Sequence, residues 1–157
     1  MKQVVQMVRV MDKEGEILTL DNDTMEFGYR TSIIKDRPFI VLGVVLRLTP
    51  GDKAEISAKM EELMRQRKGK QPLEYPSAGS TFKRPEGYYA GKLIMDAGLR
   101  GYRIGGAQVS EKHCGFVINA GGATAADIRE VIEEVQERVL DRFHVRLERE
   151  VIFLGDF

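Results

Sequence analysis

Thr124-Ala125-Ala126-Asp127-Ile128-Arg129-Glu130-Val131-Ile132-Glu133-Glu134-Val135-Gln136-Glu137-Arg138-Val139-Leu140-Asp141-Arg142-Phe143 carries the most regular pattern in the sequence. Ile128, Val131, Ile132, Val135, Val139, Leu140 and Phe143 recur at helical spacing opposite a face of Arg and Glu, which predicts an amphipathic helix of four turns or more. Thr124 stands three residues before Asp127, a capping-box arrangement with Asp in place of the usual Glu. After the helix, Val145 to Leu154 alternates apolar residues with Arg146, Glu148 and Glu150 and predicts a strand. Before it, Phe116-Val117-Ile118 predicts another. Helix and strands segregated in this way point to the α+β class.

Further toward the amino terminus, Val4 to Val10 and Ile17 to Leu20 flank the turn residues Asp12-Lys13-Glu14-Gly15 and predict a hairpin with Gly15 at its corner. Asp21 to Glu26 is expected to hold one helical turn. Pro38 to Leu48, with the longest apolar run of the chain from Phe39 to Leu46, reads as a strand buried on both faces. Asp52 is the expected N-cap of a helix through Arg67, with Ile56, Met60, Leu63 and Met64 on one stripe. Gly69 to Pro85 holds too many prolines and small residues for a long regular element and marks a domain boundary followed by a shaped loop. Glu86 to Leu99 predicts a short helix stopped at Gly98. Beyond it, Gly101, Gly105 and Gly106 are expected to interrupt regular structure as far as Phe116.

The whole chain has 157 residues, 43% of them hydrophobic and 31% charged, with 24 basic and 24 acidic side chains. That is about one domain's length and an ordinary globular composition. Zero net charge favours neither nucleic acid nor an anionic membrane as partner. The single cysteine, Cys114, has no internal partner, so a reducing compartment, the cytoplasm, is the expected location. The apolar run Phe39 to Leu46 is well short of the roughly 20 residues that a spanning helix needs.

Among motifs that might carry chemistry, Ala78-Gly79-Ser80-Thr81-Phe82 lacks the second glycine of a nucleophile elbow. His113 and Cys114 are adjacent, so on a strand they would point to opposite faces, and Cys114 reads as a small buried filler. No cluster of Cys and His has metal-ligand spacing, so no metal is expected. The charge distribution says more. Asp12 to Glu26 holds six acids against one base, whereas Arg65 to Arg103 holds nine bases against three acids. A solvated surface is the plain reading of such a run. However, Lys70, Lys83 and Arg84 lie in a Gly, Pro and Ser loop with Tyr75, Tyr88 and Tyr89, residue types that bind phosphates and sugar hydroxyls. Asn119 to Thr124 could seat an anion at a helix start, although Asp127 already supplies negative charge there. Gly98-Leu99-Arg100-Gly101 fits the GxxG loop of a KH module, but Tyr102 to Gly106 cannot continue a helix.

Five segments, taken in order, carry a family resemblance. They are Gly28-Tyr29-Arg30-Thr31-Ser32, Tyr75-Pro76-Ser77-Ala78-Gly79-Ser80-Thr81-Phe82-Lys83-Arg84-Pro85, Gly87-Tyr88-Tyr89-Ala90-Gly91-Lys92-Leu93-Ile94, Gly105-Gly106-Ala107-Gln108-Val109-Ser110 and Leu147-Glu148-Arg149-Glu150-Val151. Together they resemble the UDP-N-acetylenolpyruvoylglucosamine reductases (UDP-N-acetylmuramate dehydrogenases), in their shorter subclass, over essentially the whole chain. The resemblance implies the end of a flavin-binding domain at residues 1–69, a smaller α+β substrate domain at 70–146, and a carboxyl-terminal strand at 147–157 returning toward an amino-terminal flavin domain. Family members carry ahead of Val4 a region that holds much of the FAD, and nothing here corresponds to it. The chain is therefore expected to be a carboxyl-terminal part, inactive alone.

The resemblance further implies an enzyme of peptidoglycan synthesis that uses FAD and NADPH to reduce UDP-N-acetylenolpyruvoylglucosamine. Carried over position by position, Arg30 and Glu150 sit at the enolate as fixed cation and hydrogen-bond donor, and Ser80 protonates the adjacent carbon. Glu150 must then be protonated, which calls for burial near a ligand carboxylate. Lys70, Arg84, Tyr88 and His113 match positions expected to contact the UDP-sugar diphosphate or its surroundings, with a satisfied strand-end histidine as the other reading of His113. Read without the resemblance, Ser80 is a turn residue, Arg30 a surface charge and Glu150 an exposed strand position. The alternative function is a non-catalytic nucleotide-sugar or RNA-binding module built on the basic middle segment.

Overall fold

A computed structural model gives the fold; it describes residues 1–28 and 31–155. The described residues form an α+β structure with two three-stranded antiparallel sheets and three α-helices, and the chain divides into two compact units at residues 1–56 and 57–157.

In the first unit, β1 (Val5–Met11) and β2 (Ile17–Asp21) form the expected hairpin, paired from Met7↔Asp21 to Met11↔Ile17. Gly15 takes φ +86°, and the Asp12 carboxylate accepts the amides of Glu14 and Glu16 at 3.0 and 2.9 Å, closing the turn. On its other side β1 pairs with β3 (Ile40–Leu46), giving the order β2-β1-β3. Val5, Val8, Val10 and Met25 are buried, packed by Leu20, Phe27, Ile33, Ile34 and Phe39.

Three expectations for this half are corrected. Asp21 to Glu26 is a run of turns, and the helical turn lies later, as a 3-10 helix at Ile33–Lys35. The turn run is fixed by Asp21, whose carboxylate accepts the Thr24 amide at 2.9 Å and is held below its ordinary pKa by that bond. The strand β3 forms where its β-branched run predicts it, but it is not buried on either face: its six apolar side chains are 42–57% exposed. It lies at the edge of the sheet, paired with β1 on one side. The helix α1 (Lys53–Lys70) starts as expected, the Asp52 carboxylate accepting the amides of Ala54 and Glu55 at 2.9 Å. Its stripe of Ile56, Met60, Leu63 and Met64 nevertheless stays 47–66% exposed, and no residue of the helix is buried.

The second unit closes around its own core. The helix α2 (Ala90–Asp96) ends ahead of Gly98, which adopts φ +79°. The stretch expected to be irregular contains a hairpin, β4 (Arg103–Ile104) and β5 (Ala107–Val109), with Gly105-Gly106 as its two-residue turn; β6 (Val117–Asn119) then pairs with β5. The glycines that argued against regular structure are here the connection of a hairpin. Gly106 leaves no room for a side chain, since a Cβ would press on the Ala123 amide nitrogen and the Gly121 carbonyl.

The helix α3 (Ala125–Phe143) carries the full capping box, with Thr124 accepting the Asp127 amide at 3.1 Å and Asp127 accepting the Thr124 amide at 3.0 Å. Those bonds, with a further one from the Gly106 amide, hold the Asp127 carboxyl below its ordinary range. Val131, Ile132, Val135 and Val139 are buried against Ile94, Leu99, Ala107, Val109, Val117 and Leu147. The last segment is not a regular strand. It makes a single bridge, Phe82↔Arg149, and its alternation holds at Leu147, which is fully buried, while Ile152 and Leu154 are exposed.

Candidate functional site

Ser80, Glu150 and His113 are linked through the 76–82 loop, which runs between two partners. On one side it pairs with β6: Asn119 donates to Pro76 O at 2.9 Å, and Thr81 donates to Gly115 O at 2.8 Å. On the other it pairs with the carboxyl-terminal segment: the Glu150 amide donates to Thr81 O and the Lys83 amide to Glu148 O, both at 2.9 Å. The loop thus serves as a short middle strand. Antiparallel pairing of Phe82 with Arg149 sets Thr81 opposite Glu150 and Ser80 opposite Val151, so the backbones at Ser80 and Glu150 lie one register step apart.

Ser80 is exposed and lines a cleft of about 480 Å³ with Arg67, Gln71, Tyr75, Ser77 and Phe116. Its hydroxyl donates to Phe82 O across a long 3.3 Å. Gly79, ahead of it, takes φ +85°, a conformation in which a side chain would be strained. Glu150 is exposed, whereas its implied role calls for burial. Two residues before it, Glu148 is exposed and bonded to Lys83 Nζ at 2.9 Å, which lowers its pKa.

Arg84 and Tyr88 are brought together on the next loop. The Arg84 guanidinium donates to Tyr88 O at 3.3 Å and lies 4.1 Å from the centre of the Tyr89 ring. Both line a second cleft, of about 370 Å³, with Lys83, Arg146 and Glu148. Cationic and phenolic groups on one concave surface suit a phosphate-bearing ligand.

His113 lies in the turn before β6. Its Nδ1 accepts the Gly115 amide at 3.1 Å, and its ring stands edge-on to Phe116 with centroids 5.0 Å apart. Because Nδ1 accepts, the proton of a neutral ring is on Nε2. Gly115 is the residue whose carbonyl receives the Thr81 amide, so His113 belongs to the same hydrogen-bonded chain as the Ser80 loop. Cys114 beside it is buried, and burial pushes its thiol pKa up while the Arg100 guanidinium opposes that; it is an inert filler. Lys70 is the last residue of α1, exposed, and lines neither of these clefts. Arg30 lies outside the described residues.

The sequence reading missed Arg67 and Gln71, which bond to each other at 3.1 Å on the cleft wall, and Arg146 in the second cleft. Their neighbourhood was legible as a basic segment, but the fold alone says which cations share a cleft with Ser80. It also missed Thr81, which the motif contained and no spacing singled out. No group of three or more His, Cys, Asp and Glu residues is placed to hold a metal ion among the described residues. Nor is any described helix long and apolar enough to cross a membrane.

Residues 71–154 match the family model described as "UDP-N-acetylenolpyruvoylglucosamine reductase, C-terminal domain". The proteins named UDP-N-acetylenolpyruvoylglucosamine reductase of Lachnoclostridium phytofermentans and Lactiplantibacillus plantarum are 56% and 52% identical to the chain, over 99% of it in each case and over 50% and 52% of their own lengths. The chain spans about half the length of the curated relatives it matches. The crystal structure of the Thermus caldophilus UDP-N-acetylenolpyruvylglucosamine reductase superposes with a TM-score of 0.79 at 36% identity, covering 95% of this chain and 52% of that one. Sequence and fold agree, and the chain belongs to the UDP-N-acetylenolpyruvoylglucosamine reductase family, whose C-terminal domain it carries at residues 71–154.

Proposed function

We propose that the chain is the substrate-handling, carboxyl-terminal part of an NADPH-dependent flavoenzyme that reduces UDP-N-acetylenolpyruvoylglucosamine to UDP-N-acetylmuramate in cytoplasmic peptidoglycan synthesis. The observation that carries this reading is the hydrogen bond from the Glu150 amide to Thr81 O. It brings the backbone at Glu150 to within one register step of Ser80, seventy residues earlier, which lines an open cleft.

Reduction adds a hydride and a proton across the enol ether double bond. When bound, FAD that has been reduced by NADPH supplies the hydride. Among the described residues of the first unit no glycine-rich loop opens a helix that could seat a dinucleotide pyrophosphate. The flavin is accordingly assigned to the half of the protein that the relatives carry outside the matched region. The six exposed apolar side chains of β3 support that division, since a strand of this composition suits cover by further polypeptide.

This chain's own residues then handle charge and the proton. The Ser80 hydroxyl, held only by the 3.3 Å bond to Phe82 O, is free to turn toward a substrate carbon in the cleft and give up its proton, replaced from solvent. Glu150, protonated once substrate and the remainder of the protein cover it, donates to the developing enolate, and Arg30 supplies fixed positive charge. Arg84 and Tyr88 bind the diphosphate in the second cleft, with Lys70 and His113 nearby in role.

Turnover tests the reading. With FAD, NADPH and UDP-N-acetylenolpyruvoylglucosamine, the chain alone should consume little or no NADPH, and adding the amino-terminal half of the protein should restore consumption. Full turnover by the chain alone would refute the division of labour. Salt-steep binding of mixed single-stranded RNA, without any binding of UDP-sugar by the assembled protein, would favour a nucleic-acid module instead.

A further inference from the structure

Thr81 is 2% exposed and lines a mostly apolar hollow with Ala78, Val117, Ile128, Ile132 and Val151. Three backbone groups from two separate segments bond to it. Its amide donates to Gly115 O at 2.8 Å, its carbonyl accepts the Glu150 amide at 2.9 Å, and its side-chain Oγ1 accepts the Val117 amide at 2.9 Å. A buried hydroxyl is costly unless paired, and valine would fill nearly the same volume without that cost. The oxygen is therefore there for its bond to the first amide of β6.

We propose that Thr81 is a positioning residue that sets the direction of Ser80 and the placement of Glu150; this rests on the proton-donor role given to Ser80 above. Thr81 is turned inward to Val117 and Phe82 after it is buried too, whereas Ser80 before it is exposed in the cleft it shares with Gln71 and Tyr75, so the chain changes direction at Ser80–Thr81 and the bonds of Thr81 hold that change. The carbonyl of Thr81 then fixes the height of the carboxyl-terminal segment, so one residue places both groups. If the Oγ1 bond is lost, the loop can rotate about its two backbone bonds. Ser80 then turns away from the reacting carbon, and a misplacement of an ångström is enough to slow a proton transfer about a hundredfold.

The test compares Thr81→Val, which removes the oxygen at similar size, with Thr81→Ser, which keeps it. In the complete enzyme, Thr81→Val should slow flavin reoxidation by substrate roughly 10- to 100-fold while flavin reduction by NADPH stays within about twofold of the parent, and Thr81→Ser should restore reoxidation to within about threefold. In the 157-residue chain, amide exchange at Val117 and Glu150 should quicken in Thr81→Val and not in Thr81→Ser. Parent-like reoxidation in Thr81→Val, an equal fall of both half-reactions, or failure of Thr81→Ser to restore reoxidation would each overturn the role. If Thr81→Val does not fold, Thr81→Ser decides: reoxidation near the parent rate supports the role, and reoxidation more than about tenfold slower contradicts it. A parent enzyme that reduces its flavin but is never reoxidised by this substrate would contradict the proposed reaction; the amide exchange would then still read whether Thr81 holds the two segments.

Discussion

The two units of the chain are each built on a three-stranded antiparallel sheet, and they use it in opposite ways. In the sheet β4-β5-β6, Ala107, Val109, Val117 and Ile118 are buried, with α2 and α3 supplying Leu93, Ile94, Val131, Ile132, Val135 and Val139. In the sheet β2-β1-β3, one face of β1 is buried and β3 is covered on neither side. The strand with more apolar residues is the more exposed one. Apolar composition records what a strand packs against in the working molecule, and in the second unit this chain supplies that partner itself.

Substitutions at four positions would break or sharpen this contrast. Leu147→Ala, at a fully buried position, should cost about 3 kcal/mol of unfolding free energy in urea melts, by lost transfer energy plus a cavity. A cost near zero would mean that the core of the second unit is not closed. Gly106→Ala should cost about 2 kcal/mol, because its Cβ meets backbone that cannot retreat; a neutral result would show the β4–β5 turn to be loosely seated. Thr124→Ala should cost about 1 kcal/mol through the lost cap of α3. Against these, Val44→Ala in β3 should change stability by no more than about 0.5 kcal/mol, and Val44→Lys should reduce self-association on a sizing column without unfolding the protein. A large loss on Val44→Ala would show that β3 is already packed.

Asp127 gives the contrast a pH dependence. Its native pKa lies below its ordinary 3.8, chiefly through the Thr124 amide, so the charged form favours the fold. That contribution is fully present above the ordinary value and is lost as pH falls through the lower native one. The second unit should therefore weaken in acid below about pH 4, and Asp127→Asn should flatten that limb in melts at pH 7 and pH 3. An unchanged acid limb would remove Asp127 from the account.

Much of this was legible in the sequence where local chemistry decides. The Thr124–Asp127 box, the Asp52 cap and the Gly15 corner each specify their own backbone, and all three appear in the structure. Burial of β3 was not legible, because hydrophobicity states a need for cover and not whether the same chain meets it. The β4–β5 hairpin was hidden because two residues a side leave no periodicity to read. In the site, the motif residues Ser80 and Glu150 were named from the resemblance, yet their meeting depends on a long-range pairing that no spacing encodes. Thr81 went unremarked for the same reason: its three partners lie at Gly115, Val117 and Glu150.

Ser80→Ala in the complete enzyme probes the centre of the account most directly, with flavin absorbance followed in each half-reaction by stopped flow. The expected result is unaltered reduction by NADPH and reoxidation by UDP-N-acetylenolpyruvoylglucosamine slowed by several orders of magnitude. Slow reduction with normal reoxidation, or no effect on either, would contradict the role given to Ser80.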